Sequence, residues 1–416
     1  MDLMNPKPFD LARLRRETPG CTQRNHLNNA GAALMPASVR DIMIEHLRLE
    51  ADVGGYEAAD LRTAEIAQGY ENIASLLNAA SRNVAVVANA TAGFIQALSS
   101  FELAPGDVIV TSRCDYTSNQ IQYLALKQRR GIVVRHAADH PEGGIDPQSL
   151  REIFRRERCR LAAITWIPTN SGLVQDVEGV GRVCSEFCVP YLIDACQAVG
   201  QIPIDVKRLR CDYLSATARK FLRGPRGVGF LYASDAALER GDYPLFIDMR
   251  GARWVEPDRI EIEPSAQRYE DWEFPYALVL GQAEAARYAS QVGIDVARDR
   301  AKDLASRARD GLNAIDGVRT LDRGRSPCAI VTVAIDGWRA DDAVAALREV
   351  GINTSASLRE YAVYDFDKKG VTSAVRISPH YYNSEEEIDQ LTVAVAELVA
   401  SKRSTRRSNT PSMRFS

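Results

Sequence analysis

The stretch Tyr191–Tyr232, YLIDACQAVGQIPIDVKRLRCDYLSATARKFLRGPRGVGFLY, decides the fold. It reads as an apolar strand ending on Asp194, with Gln197 three residues further on. A second apolar segment closes on Ser215-Ala216-Thr217-Ala218-Arg219-Lys220, and a glycine-rich turn leads into a further apolar run, Val228 to Ala233. Strand, connection, strand in this order predicts a parallel α/β sheet. Open sheets of that kind place their ligands at the carboxyl ends of the strands, where a carboxylate closing one strand and a lysine closing the next unit can meet.

Each residue alone is ordinary: an Asp after a strand is commonly a turn or cap residue, and a Lys is commonly solvated surface. Together they suit pyridoxal 5'-phosphate. Lys220 supplies an amine that condenses with the cofactor aldehyde. Asp194 supplies the charge that keeps the ring nitrogen protonated. Thr217 and Arg219 supply hydroxyl and guanidinium donors for the phosphate. Asp-x-x-Gln at a strand end, followed by Thr-x-Arg-Lys before Gly-Pro-x-Gly, resembles the class V aminotransferase family of fold type I pyridoxal phosphate enzymes, which includes cysteine desulfurases, isopenicillin N epimerase-like proteins and carbon-sulfur lyases. The resemblance extends from about His26 to about Leu398. It implies a large domain built on a mostly parallel seven-stranded sheet and a small α+β C-terminal domain. The expected division is 21–295 for the large domain, 1–20 with 296–401 for the small one, and 402–416 as a disordered tail.

Composition is that of an ordinary soluble globular protein, and two domains are expected. The chain has 416 residues, 45% hydrophobic and 26% charged, enough to bury a large core. A net charge of -3 gives no general attraction to nucleic acid or an anionic membrane. Neither a signal peptide nor a run of eighteen apolar residues is present, so the cytoplasm is the expected location. The eight cysteines are scattered and are expected as free thiols. Cys184 and Cys188 form at most half of a metal site, and no metal is expected.

Along the chain, a short helix is expected over Phe9 to Arg16, with further helices over Val39 to Leu49 and Ala58 to Leu77. Val84 to Ala88 reads as a strand. The small-residue turn Asn89-Ala90-Thr91-Ala92-Gly93 then feeds a helix expected near Phe94, so Thr91 and Ala92 are placed to hold a phosphate at a helix N-terminus. Asp107 to Thr111 is the next strand. The resemblance places an aromatic or imidazole ring after it to stack on the cofactor, and here Tyr116 stands where histidine is common. It also places substrate contacts at Asn29, in His26-Leu27-Asn28-Asn29-Ala30-Gly31-Ala32, and at Thr169 or Asn170, shared with Gln197. Arg376, in Arg-x-Ser-x-x-x-Tyr-Asn, would bind the carboxylate of an amino acid substrate through a bidentate fork. Arg268-Tyr269-Glu270-Asp271-Trp272-Glu273-Phe274-Pro275 resembles the segment that crosses a homodimer interface to the partner's phosphate, with Trp272-Glu273 in place of the usual Gly-Thr. The C-terminal part reads as strand Ala329 to Ile335, helix Ala340 to Val350, strands Ile352 to Ser355 and Ala374 to Ser378, and helix Glu385 to Ala400.

The cofactor accounts for amine chemistry in general, and the residues around the substrate decide which bond breaks. Desulfurases need a second nucleophile, a loop cysteine, and the corresponding loop, Asn353 to Tyr364, has none. That favours β-elimination from an S-substituted cysteine or its sulfoxide, with Lys220 as general acid/base. An aminotransferase or an epimerase of the same family is the alternative.

Overall fold

The computed structural model describes residues 9–408. Short, mostly apolar runs become the strands of a seven-stranded sheet. Its order is Val84–Val87, Gly229–Ala233, Tyr213–Thr217, Tyr191–Asp194, Cys159–Thr165, Val108–Thr111, Val133–His136. Six strands run in one direction, and Gly229–Ala233 is antiparallel to both its neighbours. The central strands are buried along their whole length, as required when helices cover both faces. Their common direction brings the ends of Val84–Val87, Val108–Thr111, Cys159–Thr165, Tyr191–Asp194 and Tyr213–Thr217 to one edge, the last four through parallel pairing and the first across the antiparallel Gly229–Ala233.

Three long helices, Ala37–Val53, Thr63–Leu77 and Tyr276–Val292, pack together against the sheet. Close approach is possible because Gly69 faces Ala283: a Cβ at position 69 would lie 2.8 Å from that methyl group. A second, four-stranded antiparallel sheet has the order Val318–Thr320, Val331–Ile335, Ser373–Ile377, Ser355–Leu358. Helices Ala340–Glu349 and Glu385–Ser408 accompany it. The N-terminal segment is stitched to this sheet's side: Asn25–His26 pairs with Ile352–Asn353, and Asn28 bridges Ser378. The helix Leu11–Arg16 packs there too. Leu14 clusters with Tyr381 and Tyr382, and Arg15 binds Glu387 at 2.9 Å.

Several boundaries differ from the sequence expectation. The helix expected over Ala58 to Leu77 is two, Gly55–Leu61 and Thr63–Leu77, interrupted at Arg62. The helix after the Asn89 turn starts at Ala90, because the Asn89 side chain already caps it. The single strand expected over Ile352 to Ser355 is split, Ile352–Asn353 pairing with the N-terminal segment and Ser355–Leu358 with the small sheet. The last helix runs on to Ser408, in place of a disordered tail from 402. Residues 1–8 and 409–416 lie outside the described residues. A hairpin, Ala252–Glu256 with Arg259–Ile262, has no counterpart in the sequence reading. Among the described residues no helix is long and apolar enough to cross a membrane.

Glu270 fixes the segment after that hairpin to the sheet. Its carboxylate is buried and accepts from Val86 N–H at 2.8 Å, Tyr70 Oη at 2.7 Å and Arg250 Nε at 2.7 Å. Truncating it strands three polar groups, one of them a cation. Glu270→Ala is therefore expected to cost about 3 kcal/mol, read as a lower urea midpoint, with Glu270→Gln losing less because two of the three contacts survive.

Candidate active site

The strand ends fix the centre of the site. In register, Thr165 lies beside Asp194 and Asp194 beside Ser215. Asp194 is 4% exposed; its Oδ1 accepts the Cys196 N–H at 2.9 Å, and its Oδ2 lies 3.3 Å from Thr165 Oγ1 and 3.4 Å from Asn119 Nδ2. Lys220 follows three residues after the strand that ends on Thr217. It is 7% exposed, and its amine makes no hydrogen bond or ion pair among the described residues. Burial lowers its proton affinity and Arg219 and Arg376 add to that, while Cys196 and Asp194 oppose it. The turn carrying Lys220 is held from below by Gly200, at φ +79°, where a Cβ would lie 2.4 Å from the Phe221 backbone. It is held from behind by Arg223, whose guanidinium bonds the Leu34 carbonyl at 2.8 Å and stacks over Tyr382.

Asp194 and Lys220 open onto the same cleft of about 250 Å³, with Thr91, Tyr116, Thr217 and Arg219 in its walls. Lys220 Nζ stands 6.0 Å from the Tyr116 ring centroid. Arg219 donates to the Gly31 carbonyl and shares its end of the cleft with Arg226, a residue the sequence reading leaves out. Ala92 needs a correction. Its N–H is taken by the Asn89 side chain at 3.0 Å, so the free donors of that turn lie earlier, at Thr91.

A second group of polar side chains adjoins the cleft. Arg376, in the Ser373–Ile377 strand, reaches Thr169 Oγ1 at 2.7 Å and Asn28 Oδ1 at 3.2 Å. Gln197 Nε2 donates to the same Thr169 hydroxyl at 3.2 Å and to the Ala30 carbonyl at 3.1 Å. Arg376 is 8% exposed, has no acidic partner among the described residues, and its Nε is buried without a partner, as is Gln197 Oε1. Burial and the neighbouring Arg219 push its guanidinium down to about 10. Such a cation lacks an anion.

Two expected substrate contacts point elsewhere. Asn170 donates to Asp365 at 2.6 Å, beside the Lys369–Asp365 ion pair. Asn29 is consumed by the Ser378 carbonyl at 2.7 Å, the His26 carbonyl and the Tyr382 hydroxyl. Asn28, one residue earlier, is the one that touches Arg376. Asn119, Thr165 and Asp115 also belong to the site and are missed by sequence reasoning, although a hydroxyl ending the strand next to Asp194 is a usable signal.

These groups match pyridoxal phosphate part by part: an unpaired buried amine for the aldehyde, a carboxylate for the ring nitrogen, an aromatic face for the ring, and hydroxyl, N–H and paired guanidinium donors for the phosphate. Comparison with known proteins agrees. Residues 25–391 match the family model described as Aminotransferase class-V. A probable cysteine desulfurase from Pyrococcus abyssi is 24% identical, covering 94% of this chain and 98% of that protein. A probable cysteine desulfurase 2 from Mycobacterium leprae is 27% identical, covering 93% and 96%. Among solved structures, the cysteine desulfurase from Thermococcus onnurineus NA1 superposes with a TM-score of 0.86 at 22% identity, covering 96% of this chain and 100% of that one. The cystine C-S lyase C-DES, in complex with its reaction product cysteine persulfide, gives 0.81 at 21% identity, covering 91% and 99%. The chain belongs to the class V aminotransferase family and is a cysteine desulfurase-like enzyme of fold type I that uses pyridoxal phosphate.

Proposed function

We propose that the chain is a carbon-sulfur lyase that carries out β-elimination on an S-substituted cysteine or cysteine sulfoxide. When bound, pyridoxal phosphate supplies an aldehyde for the substrate amine and a cationic ring that withdraws electrons from Cα. Asp194 would hold the ring-nitrogen proton, Tyr116 the ring face, and Thr91, Thr217, Arg219 and Arg226 the phosphate. Arg376, with Thr169 and Gln197 fixing its orientation, would take the substrate carboxylate in a bidentate fork. Lys220, its charge disfavoured by burial, would remove the Cα proton. The β-sulfur then leaves as a thiol, or as a sulfenic acid from a sulfoxide, and water completes hydrolysis to pyruvate and ammonia.

The observation that carries this choice is the absence of a thiol able to attack substrate sulfur. Cys196 is the one cysteine among the described residues lining the cleft, and burial pushes its thiol up to about 12. Cys328 is buried, lines a different cavity and is likewise pushed up to about 12. The segment from Ser355 to Lys369 is strand, turn and helix without a cysteine. Desulfuration through a protein persulfide lacks its second nucleophile here.

We also place the protein in the cytoplasm as a homodimer with active sites at the interface. Free cysteines suit a reducing compartment. Leu245, Phe246, Met249, Trp254 and Trp272 are exposed, Phe246 at 86% and Trp254 at 79%, in and beside the segment that Glu270 anchors. Apolar exposure on that scale marks an association surface.

Incubation with cysteine S-conjugates is expected to release pyruvate and ammonia in equal amounts. Lys220→Ala should abolish this while remaining folded, and alanine with persulfide in place of pyruvate would refute the proposal. Arg376→Ala should raise KM about 10- to 100-fold, the loss of one charge-assisted carboxylate contact of roughly 1.5–3 kcal/mol, with a smaller change in kcat. Phe246→Glu combined with Trp254→Glu should halve the mass seen by light scattering; an unchanged mass would place the contact elsewhere.

A further inference from the structure

Behind the cleft, two buried carboxylates compete for one hydroxyl. Thr165 Oγ1 hydrogen-bonds Asp115 Oδ1 and lies 3.3 Å from Asp194 Oδ2. Asn119 Nδ2 spans the same groups, 3.1 Å from Asp115 Oδ1, 3.4 Å from Thr165 Oγ1 and 3.4 Å from Asp194 Oδ2. Asp115 also accepts from Thr111 Oγ1 at 2.7 Å and from the Tyr116 N–H at 2.7 Å. It is 5% exposed and is not part of the cleft wall.

A threonine hydroxyl carries a single proton, so it can satisfy one of the two carboxylates at a time. Given to Asp115, it leaves Asp194 Oδ2 with the longer Asn119 contact, and the negative charge of Asp194 stays directed into the cleft. Given to Asp194, it would stabilise that charge in place and weaken its hold on a proton opposite. We propose that Asp115 is a positioning residue for the cofactor: it captures the Thr165 hydroxyl proton, so that Asp194 keeps the ring nitrogen protonated, and through the Tyr116 N–H it fixes the residue that faces the ring. The proposal rests on pyridoxal phosphate binding and not on the elimination reaction. Burial pushes Asp115 up to about 6, opposed by the hydrogen bonds from Thr165, Thr111 and Asn119, so above neutral pH it is ionised and can only accept.

The test uses the holoenzyme loaded with pyridoxal phosphate labelled with ¹⁵N in the ring, observed by NMR at pH 8 without substrate. In Asp115→Asn the weaker amide acceptor releases the Thr165 proton to Asp194. The ring-nitrogen resonance is expected to move toward that of a deprotonated pyridine, and to return to the wild-type position in Asp115→Asn combined with Thr165→Val. Thr165→Val alone should leave it at the wild-type position. An unmoved resonance in folded, cofactor-loaded Asp115→Asn would overturn the proposal. So would deprotonation in Thr165→Val, a variant that decides the matter even if Asp115→Asn does not fold. Because no turnover is involved, failure here is distinct from failure to form pyruvate.

Discussion

The site depends on burying an amine and a carboxylate in one cleft without letting them neutralise each other. Lys220 has no hydrogen bond or ion pair among the described residues, and Asp194 is held by the Cys196 N–H on one oxygen and by longer contacts on the other. Desolvating both groups is costly unless something comes between them to be bound. Parallel pairing makes the arrangement possible: its register puts Thr165, Asp194 and Ser215 in one row, with Thr217 two residues further on. Stability for this arrangement comes from elsewhere. Gly200 and Arg223 set the lysine turn, and the tyrosines around Arg223 tie that turn to the C-terminal part of the chain.

An arginine can sit unpaired at the substrate side on the same terms. Arg376 is contributed by the small sheet, Thr169 and Gln197 by loops of the large one, and Asn28 by the N-terminal segment. The two residues it hydrogen-bonds, Thr169 and Asn28, are neutral, so they orient the guanidinium without discharging it. Arg219 nearby has its charge disfavoured too, by burial first and then by Arg226. Three arginines, Arg219, Arg226 and Arg376, thus stand around one buried lysine, and Arg376 among them has no acidic partner among the described residues.

How much of the site is legible in the sequence depends on the distance over which each feature is encoded. Asp194, Gln197, Thr217, Arg219 and Lys220 lie within one strand-helix-strand unit, so local strand ends together with the family resemblance place them on one sheet edge. The sheet itself is legible for the same reason, since apolar runs and turn residues are local signals. The errors occur where a side chain has two possible partners. The Ala92 N–H goes to the Asn89 cap in preference to an external anion, and Asn170 goes to Asp365, nearly two hundred residues away in sequence. Asn28 and Asn29 differ only in which of two adjacent residues faces Arg376, and that is decided by the pairing of the segment with Ile352–Asn353 and Ser378, which no local pattern reveals.

Choice of reaction within such a fold depends less on the cofactor pocket than on what can approach the substrate sulfur. The stretch from Arg359 to Lys369 comes down on the large sheet's side: the Glu360 carbonyl accepts from Thr117 Oγ1 at 3.2 Å, Tyr364 meets the His136 ring at 4.8 Å, Lys368 pairs with Asp139, and Asp365 takes Asn170. Four contacts spread over nine residues favour a docked wall over a mobile arm. A thiol delivered to the substrate would need such an arm, whereas a leaving group that departs by itself needs only a vacant space beside Cβ and a base at Cα. The ion pair and hydrogen bonds of this segment hold it against the large sheet's side, and none of its residues brings a thiol to the cleft.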